Sequence, residues 1–150
     1  MTLDTASNTN GNLLELATFY VGTALCGIDI LNIQEINKQT QVTMVPQSAD
    51  YVRGVLNLRG RIVTVIDLGQ KIGLSPIAPH KDNRNIIVDS EEEQIGLLVD
   101  RISDVLLAET NKIEAPPANI GGIQGRFFKG VFKTEKSLIG ILNIEAVLQE

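Results

Sequence analysis

Ile62-Val63-Thr64-Val65-Ile66-Asp67-Leu68 and, 76 residues later, Leu138-Ile139-Gly140-Ile141-Leu142-Asn143-Ile144 decide the fold. Each is a short β-branched run that ends on a residue whose side chain can accept from free amides, Asp67 or Asn143, with apolar side chains at helical spacing beyond it. A strand that delivers the chain directly into a capped helical turn is the local reading. The same offset of 76 lays Tyr51-Val52-Arg53-Gly54-Val55 over Phe127-Phe128-Lys129-Gly130-Val131. Upstream the offset falls to 69 and sets GIDILNIQEI (27–36) against GLLVDRISDV (96–105), leaving seven extra residues in the second unit. Their place is the Pro- and Gly-rich stretch APPANIGG (115–122), which reads as a loop.

Two copies of a unit near 70 residues are too few and too long for a solenoid. Two similar β subdomains around one core are the economical reading, with chance likeness among β-branched strands as the alternative. The other strand-like runs, LATFYVG, NIIVDS and FFKGVFK among them, are short and bounded by Gly, Asn, Asp and Pro, so the class is all-β, a barrel or a sandwich. Short helices are expected only near 67–73 and 143–149, although the stretch 30–36 admits a helix as well.

Composition bounds the function. The 150 residues are 43% apolar and 21% charged, enough to bury one ordinary core. A net charge of −5 and a pI near 4.9 have the wrong sign for neutralising phosphates, so nucleic acid is not an expected partner. Aromatic residues are 4% of the chain and Trp is absent, which leaves little for stacking. No apolar run approaches the ~20 residues of a membrane span. Residues 1–12 are polar, lack the pattern of a signal peptide and read as a flexible tail. The single cysteine, Cys26, cannot form an internal disulfide, and a reducing, cytoplasmic setting is expected.

Chemistry-bearing constellations are missing. His80 stands alone in a Pro-rich connector, Cys26 lies in a strand-like run with no His near it in sequence, and Glu91-Glu92-Glu93 lacks the alternation of a Ca²⁺ loop. Gly121-Gly122-x-x-Gly125 carries no Lys and opens no helix after a strand. Neither a cofactor nor a metal is expected, and binding is left as the function. A small enzyme using Glu35 or Asp100 as general acid would need a second group that the sequence does not supply. A generic β domain for nucleic acid would need a basic face.

The duplicated units diverge at one hairpin, Leu56-Asn57-Leu58-Arg59-Gly60-Arg61 against Phe132-Lys133-Thr134-Glu135-Lys136-Ser137. Asn57 and Gly60 suit a tight turn from which Arg59 projects. Arg53, Arg59 and Arg61, with no acid between residues 51 and 66, make a local positive patch. It is either a docking surface for an acidic segment or a solvated hairpin whose charges discourage edge pairing.

The blocks GIDILNIQEI (27–36), VRGVLNLRG (52–60), IVTVIDL (62–68), IGLLVD (95–100), Ser103-Asp104-Val105 and GILNI (140–144) together resemble the CheW family of chemotaxis coupling proteins, over roughly residues 14–148. That resemblance implies two SH3-like five-stranded β barrels sharing a hydrophobic core, as one domain over 13–150 with intertwined subdomains near 13–80 and 81–150. It implies a non-enzymatic scaffold, recruited from the cytoplasm to receptor arrays, that bridges the tips of methyl-accepting chemoreceptors to the regulatory domain of the histidine kinase CheA. Receptor-facing positions then fall on Ile33, Glu35, Ile36 and Arg59. Glu35 and Arg59 are expected to pair at the mouth of a groove between the subdomains, where Ile33, Leu98 and Val99 supply an apolar strip unless they are simply core. Kinase docking is expected at the edge of the first barrel, around Val42, Met44, Arg53 and Gly54. Thr64, where the family often has proline, and the connector 75–84 depart from the family's pattern.

Overall fold

A computed structural model describes residues 12–39 and 41–149; most of the expected 1–12 tail lies outside the described residues. The strands are β1 (Leu13–Val21), β2 (Ala24–Asp29), β3 (Ile33–Asn37), β4 (Val52–Leu58), β5 (Arg61–Asp67), β6 (Arg84–Ser90), β7 (Glu93–Val99), β8 (Arg101–Glu109), β9 (Asn119–Ile120), β10 (Ile123–Gln124), β11 (Phe128–Lys133) and β12 (Leu138–Leu142). Two short helices, α1 (Leu68–Lys71) and α2 (Ile144–Leu148), follow β5 and β12. Stretch 30–36 resolves into a 3-10 turn at Ile30–Asn32 and then strand. The turn forms because the Asp29 carboxylate accepts from the Leu31 amide.

Ten strands form two five-stranded sheets, with order β3-β6-β7-β5-β4 in the first and β8-β1-β2-β12-β11 in the second. Offsets of 69 and 76 carry β3, β6, β7, β5 and β4 onto β8, β1, β2, β12 and β11, so the two orders are the same order. The likeness extends to single residues. Thr64 lies opposite Ile95 in the parallel pair of the first sheet, and the matched Gly140 lies opposite the matched Cys26 in the second. A bulge between Val52 and Gly54 recurs between Phe128 and Gly130.

Both parallel pairs cross the repeats. β5 of the first unit pairs β7 of the second, and β12 of the second pairs β2 of the first. The sheets therefore do not divide near residue 80. One takes strands from residues 33–99, and the other combines 13–29 with 101–142.

The sheets curl without closing. After leaving β3 the chain touches the far edge of its own sheet through one bridge, Thr43 to Val55, and in the second sheet Glu114 bridges Val131, the residue matched to Val55. No continuous ladder joins the edge strands, so the two expected five-stranded barrels are present as open, barrel-like sheets. Gly54, at φ +146°, permits the first crossing: a Cβ there would sit 2.3 Å from the Thr43 carbonyl oxygen.

One continuous apolar cluster takes Phe19, Val21, Cys26 and Ile28 from the second sheet and Ile86, Val88, Leu97 and Val99 from the first. This is the shared core. The extra residues of the second unit form more than a loop. β9 and β10 pair as a hairpin whose Ile120 and Ile123 are buried in that core.

Candidate interaction site

Glu35 owes its position to a bulge in β3. Ile33 lies opposite Val88, Glu35 opposite Ile87 and Ile36 opposite Ile86, so the extra residue Gln34 reverses the alternation. Directly opposed residues share a face. Ile33 and Ile36 therefore sit on the face of Val88 and Ile86, while Glu35 sits on the other face, inside the curl. Across the sheet, Leu58 pairs Arg61 and leaves Arg59-Gly60 as a two-residue turn with positive φ at both positions, 54° and 85°. That is the backbone of a type I′ hairpin, and the Asn57 side chain accepts from the Gly60 amide at 2.9 Å.

The turn delivers the Arg59 guanidinium to Glu35, with which it forms an ion pair and hydrogen bond. In a flat sheet the edge strands β3 and β4 would stand about 19 Å apart, four spacings of about 4.8 Å, too far for such a pair. The curl brings them together. Both partners belong to one sheet, so the pair spans the open seam of the first sheet and does not lie between the two sheets as expected. Its hydrogen bond from Arg59, then one from Asn37, hold the Glu35 carboxyl below its ordinary value, against the opposing effect of partial burial. Behind it runs a polar chain. Asn37 accepts from the Gln39 amide at 2.7 Å, and the buried Asn85 donates to the Gln39 carbonyl at 2.6 Å.

The other expected receptor-facing residues separate. Ile36 is 42% exposed, and Ile33 is half-buried with one side against the core. Val99 is fully buried and Leu98 nearly so. Neither offers surface to a partner. The alternation of β7 points Leu98 and Val99 to opposite faces of the strand, and both are buried in the same apolar cluster.

The expected kinase edge also divides. Val42 packs against the core, and Gly54 is buried beneath the Thr43 crossing. Met44 is 81% exposed just beyond that crossing, with the exposed Val45 beside it. Arg53 works internally. Its Nη2 donates to Asp67 Oδ2 at 2.7 Å and to the Ile77 carbonyl at 2.7 Å, while the Ile77 amide donates back to Asp67 Oδ2 at 2.9 Å. Asp67 has no exposed surface, and its other oxygen caps α1 through the Gln70 amide at 3.0 Å. Two of the three clustered arginines are neutralised within the chain, Arg53 by Asp67 and Arg59 by Glu35, which leaves the exposed Arg61.

Sequence reasoning identified Asp67 as a cap and missed it as the partner of Arg53; Asn37 and Asn85 were missed altogether. An Asn set directly against an Ile-Ile-Val run, as Asn85 is in RNIIVDS, was the available signal. Among the described residues, no group of three His, Cys, Asp or Glu side chains is placed to hold a metal ion. No helix of the described residues is long and apolar enough to cross a membrane.

Comparison with known proteins places this arrangement. Residues 15–150 match the family model described as CheW-like domain. The chain is 31% identical over 136 residues to the probable chemotaxis protein CheW of Rhizobium etli, covering 91% of this chain and 88% of that protein. It is 32% identical over 136 residues to the chemotaxis protein CheW of Thermotoga maritima, with the same coverage. Among solved structures, the scaffolding protein TtCheW of Thermoanaerobacter tengcongensis superposes with a TM-score of 0.83 at 31% identity, covering 91% of this chain and 88% of that one. With two matched five-stranded sheets around one core and this extent of likeness, the chain belongs to the CheW-like domain family.

Proposed function

We propose that this protein is a non-enzymatic adaptor that couples methyl-accepting chemoreceptors to the histidine kinase CheA, working in the cytoplasm at membrane-associated receptor arrays. The observation that carries the reading is a separation of surfaces on one rigid core. Ile36 and the half-buried Ile33 share one face of the edge strand β3, whose other face carries the Glu35–Arg59 pair, whereas Met44 and Val45 stand beyond the Thr43 crossing at the outer edge of β4. Two separate surfaces allow one molecule to hold two partners, and linking partners raises their effective concentration without new chemistry.

A receptor helix would lay its apolar face on Ile33 and Ile36, with the ion pair fixing its register. The CheA regulatory domain would pack on Met44 and the neighbouring edge, which the single bridge at Thr43 leaves largely unpaired. Titration of the protein against a receptor-tip fragment and against the CheA regulatory domain, with wild type and Arg59→Glu, tests this assignment. The expected result is binding of both by wild type and selective loss of receptor binding by a variant with unchanged circular dichroism. Loss of both, or of neither, would contradict the placement of the receptor surface.

A further inference from the structure

The two matched sheets differ at one end of their curl. In the first sheet that end is plugged by Ile87 and Leu58 and lidded by the Glu35–Arg59 pair. The matched positions of the second sheet are Thr18, Thr134, Asp104 and Glu135. Two large apolar plugs are thus replaced by threonines, and the arginine of the lid is replaced by a second acid. The consequence is a cleft of about 360 Å³ whose lining includes all four residues.

We propose that this cleft is an acceptor site for an arginine side chain presented by an extended segment of a protein partner. The inside of the second sheet keeps the carboxylate that an arginine lid requires, Asp104 at the place of Glu35, and lacks the arginine. Glu135 faces the same cleft from the hairpin turn, so a guanidinium entering there would meet carboxylates from two sides, which suits its planar fork of donors. Leu106 and Ile139 line the cleft as apolar surface for the methylene stem of the incoming side chain. Thr18 fixes the local backbone by donating from its hydroxyl to the Asp104 carbonyl. Lys136 is the one cation of the lining. It aligns with Gly60, and its amide is held by Thr134 Oγ1 at 3.3 Å. Among the described residues no ion pair joins its ammonium to Asp104 or Glu135. The site is on the second sheet, apart from the Ile33–Glu35–Arg59 surface and from Met44, so it does not depend on either partner assignment made above.

The test is an NMR titration of the full chain, labelled with ¹⁵N, using acetyl-Gly-Arg-Gly-amide as probe and its citrulline counterpart as the uncharged control. Saturable shifts confined to the amides of Thr18, Ser103, Asp104 and residues 134–137 are expected with the arginine peptide and not with the citrulline peptide. Asp104→Asn should weaken binding at least tenfold. Glu135→Arg, which supplies the guanidinium at the position of Arg59, should abolish peptide binding and raise the melting temperature. Equal shifts with both peptides, shifts centred elsewhere, or full binding by both variants would overturn the proposal. So would binding that appears only in Lys136→Ala, because the chain's own lysine would then be the occupant. All three substituted side chains are exposed, so loss of the fold is not the expected outcome of any of them.

Discussion

Asp67 and Asn143, 76 residues apart, cap matched helices in the same way: Asp67 Oδ1 accepts from the amide of Gln70 at 3.0 Å, and Asn143 Oδ1 from that of Ala146 at 3.1 Å. Their own amides also donate to matched carbonyls, of Tyr51 at 2.7 Å and Phe127 at 2.9 Å. The caps differ in what else they hold. Asp67 carries a charge that Arg53 and the Ile77 amide satisfy, so one carboxylate ties β4, β5, α1 and the connector together. Asn143→Ala should cost about 1 kcal/mol, the ordinary worth of a cap. Asp67→Ala should cost about 3 kcal/mol, because it also leaves a partly buried guanidinium unpaired. Urea unfolding of the two variants measures the difference, and equal losses would show that the Arg53 link contributes nothing.

Removing the Arg59 guanidinium should raise the pKa of Glu35. The pair lowers that pKa in the folded protein below the ordinary 4.5. A depressed carboxylate contributes stability above the unfolded value and loses it as pH falls through the folded value, so the contribution disappears on acidification from about pH 4.5 downward. Because the Arg59 side chain is largely exposed, the whole contribution should not exceed about 1 kcal/mol. Carboxyl-carbon NMR titration of wild type and Arg59→Gln reads the shift directly; an unchanged Glu35 pKa in the variant would show that the pair is not formed in solution.

Gly54 and Gly60 should respond differently to alanine. Both have positive φ, but a Cβ at Gly60 meets nothing within 4 Å, whereas at Gly54 it strikes the Thr43 carbonyl at 2.3 Å. Gly60→Ala should cost about 1 kcal/mol from backbone strain alone. Gly54→Ala should in addition push the Thr43 crossing off the edge of β4, seen as loss of hydrogen-exchange protection at the Thr43 and Val55 amides. Retained protection at those amides would count against the crossing as drawn.

Cys26 should be inert in the native protein. Its thiol is buried without a polar partner, and burial pushes its pKa up to about 12. Labelling by a disulfide reagent at pH 8 should proceed only at the rate of unfolding and should accelerate with denaturant. Rapid labelling of the folded protein would contradict the packing of β2.

Sequence pattern carried most of the architecture, because the information lies in repetition. Strands matched at fixed offsets, caps at Asp67 and Asn143, and the divergent hairpin at Arg59 are all one-dimensional features, and a hairpin turn so close to its strands constrains where its side chain can point. The pair of Arg59 with Glu35 followed from the resemblance, not from the residues alone. Exchange of strands between repeats was less legible. Which copy of a strand pairs with which is decided by loop lengths and crossing geometry, and β7 would satisfy the same hydrophobic pattern beside either β5 or β12. The failures at Leu98 and Val99 have the same origin. A strand buried on both faces shows no alternation, so nothing in IGLLVD separates a core side chain from a surface one. The bulge at Gln34 likewise inverts which side chains of β3 face outward, and one extra residue leaves no mark on composition.

The proposed adaptor role requires that one molecule hold a receptor tip and the CheA regulatory domain at once. Sedimentation velocity of this chain mixed with a receptor-tip fragment and the regulatory domain, each alone and then together, tests it most directly. The expected result is a faster species containing all three that forms only when this chain is present. Mutually exclusive binding, with the receptor fragment displacing the regulatory domain, would contradict the claim, as would direct association of the two partners that this chain leaves unchanged.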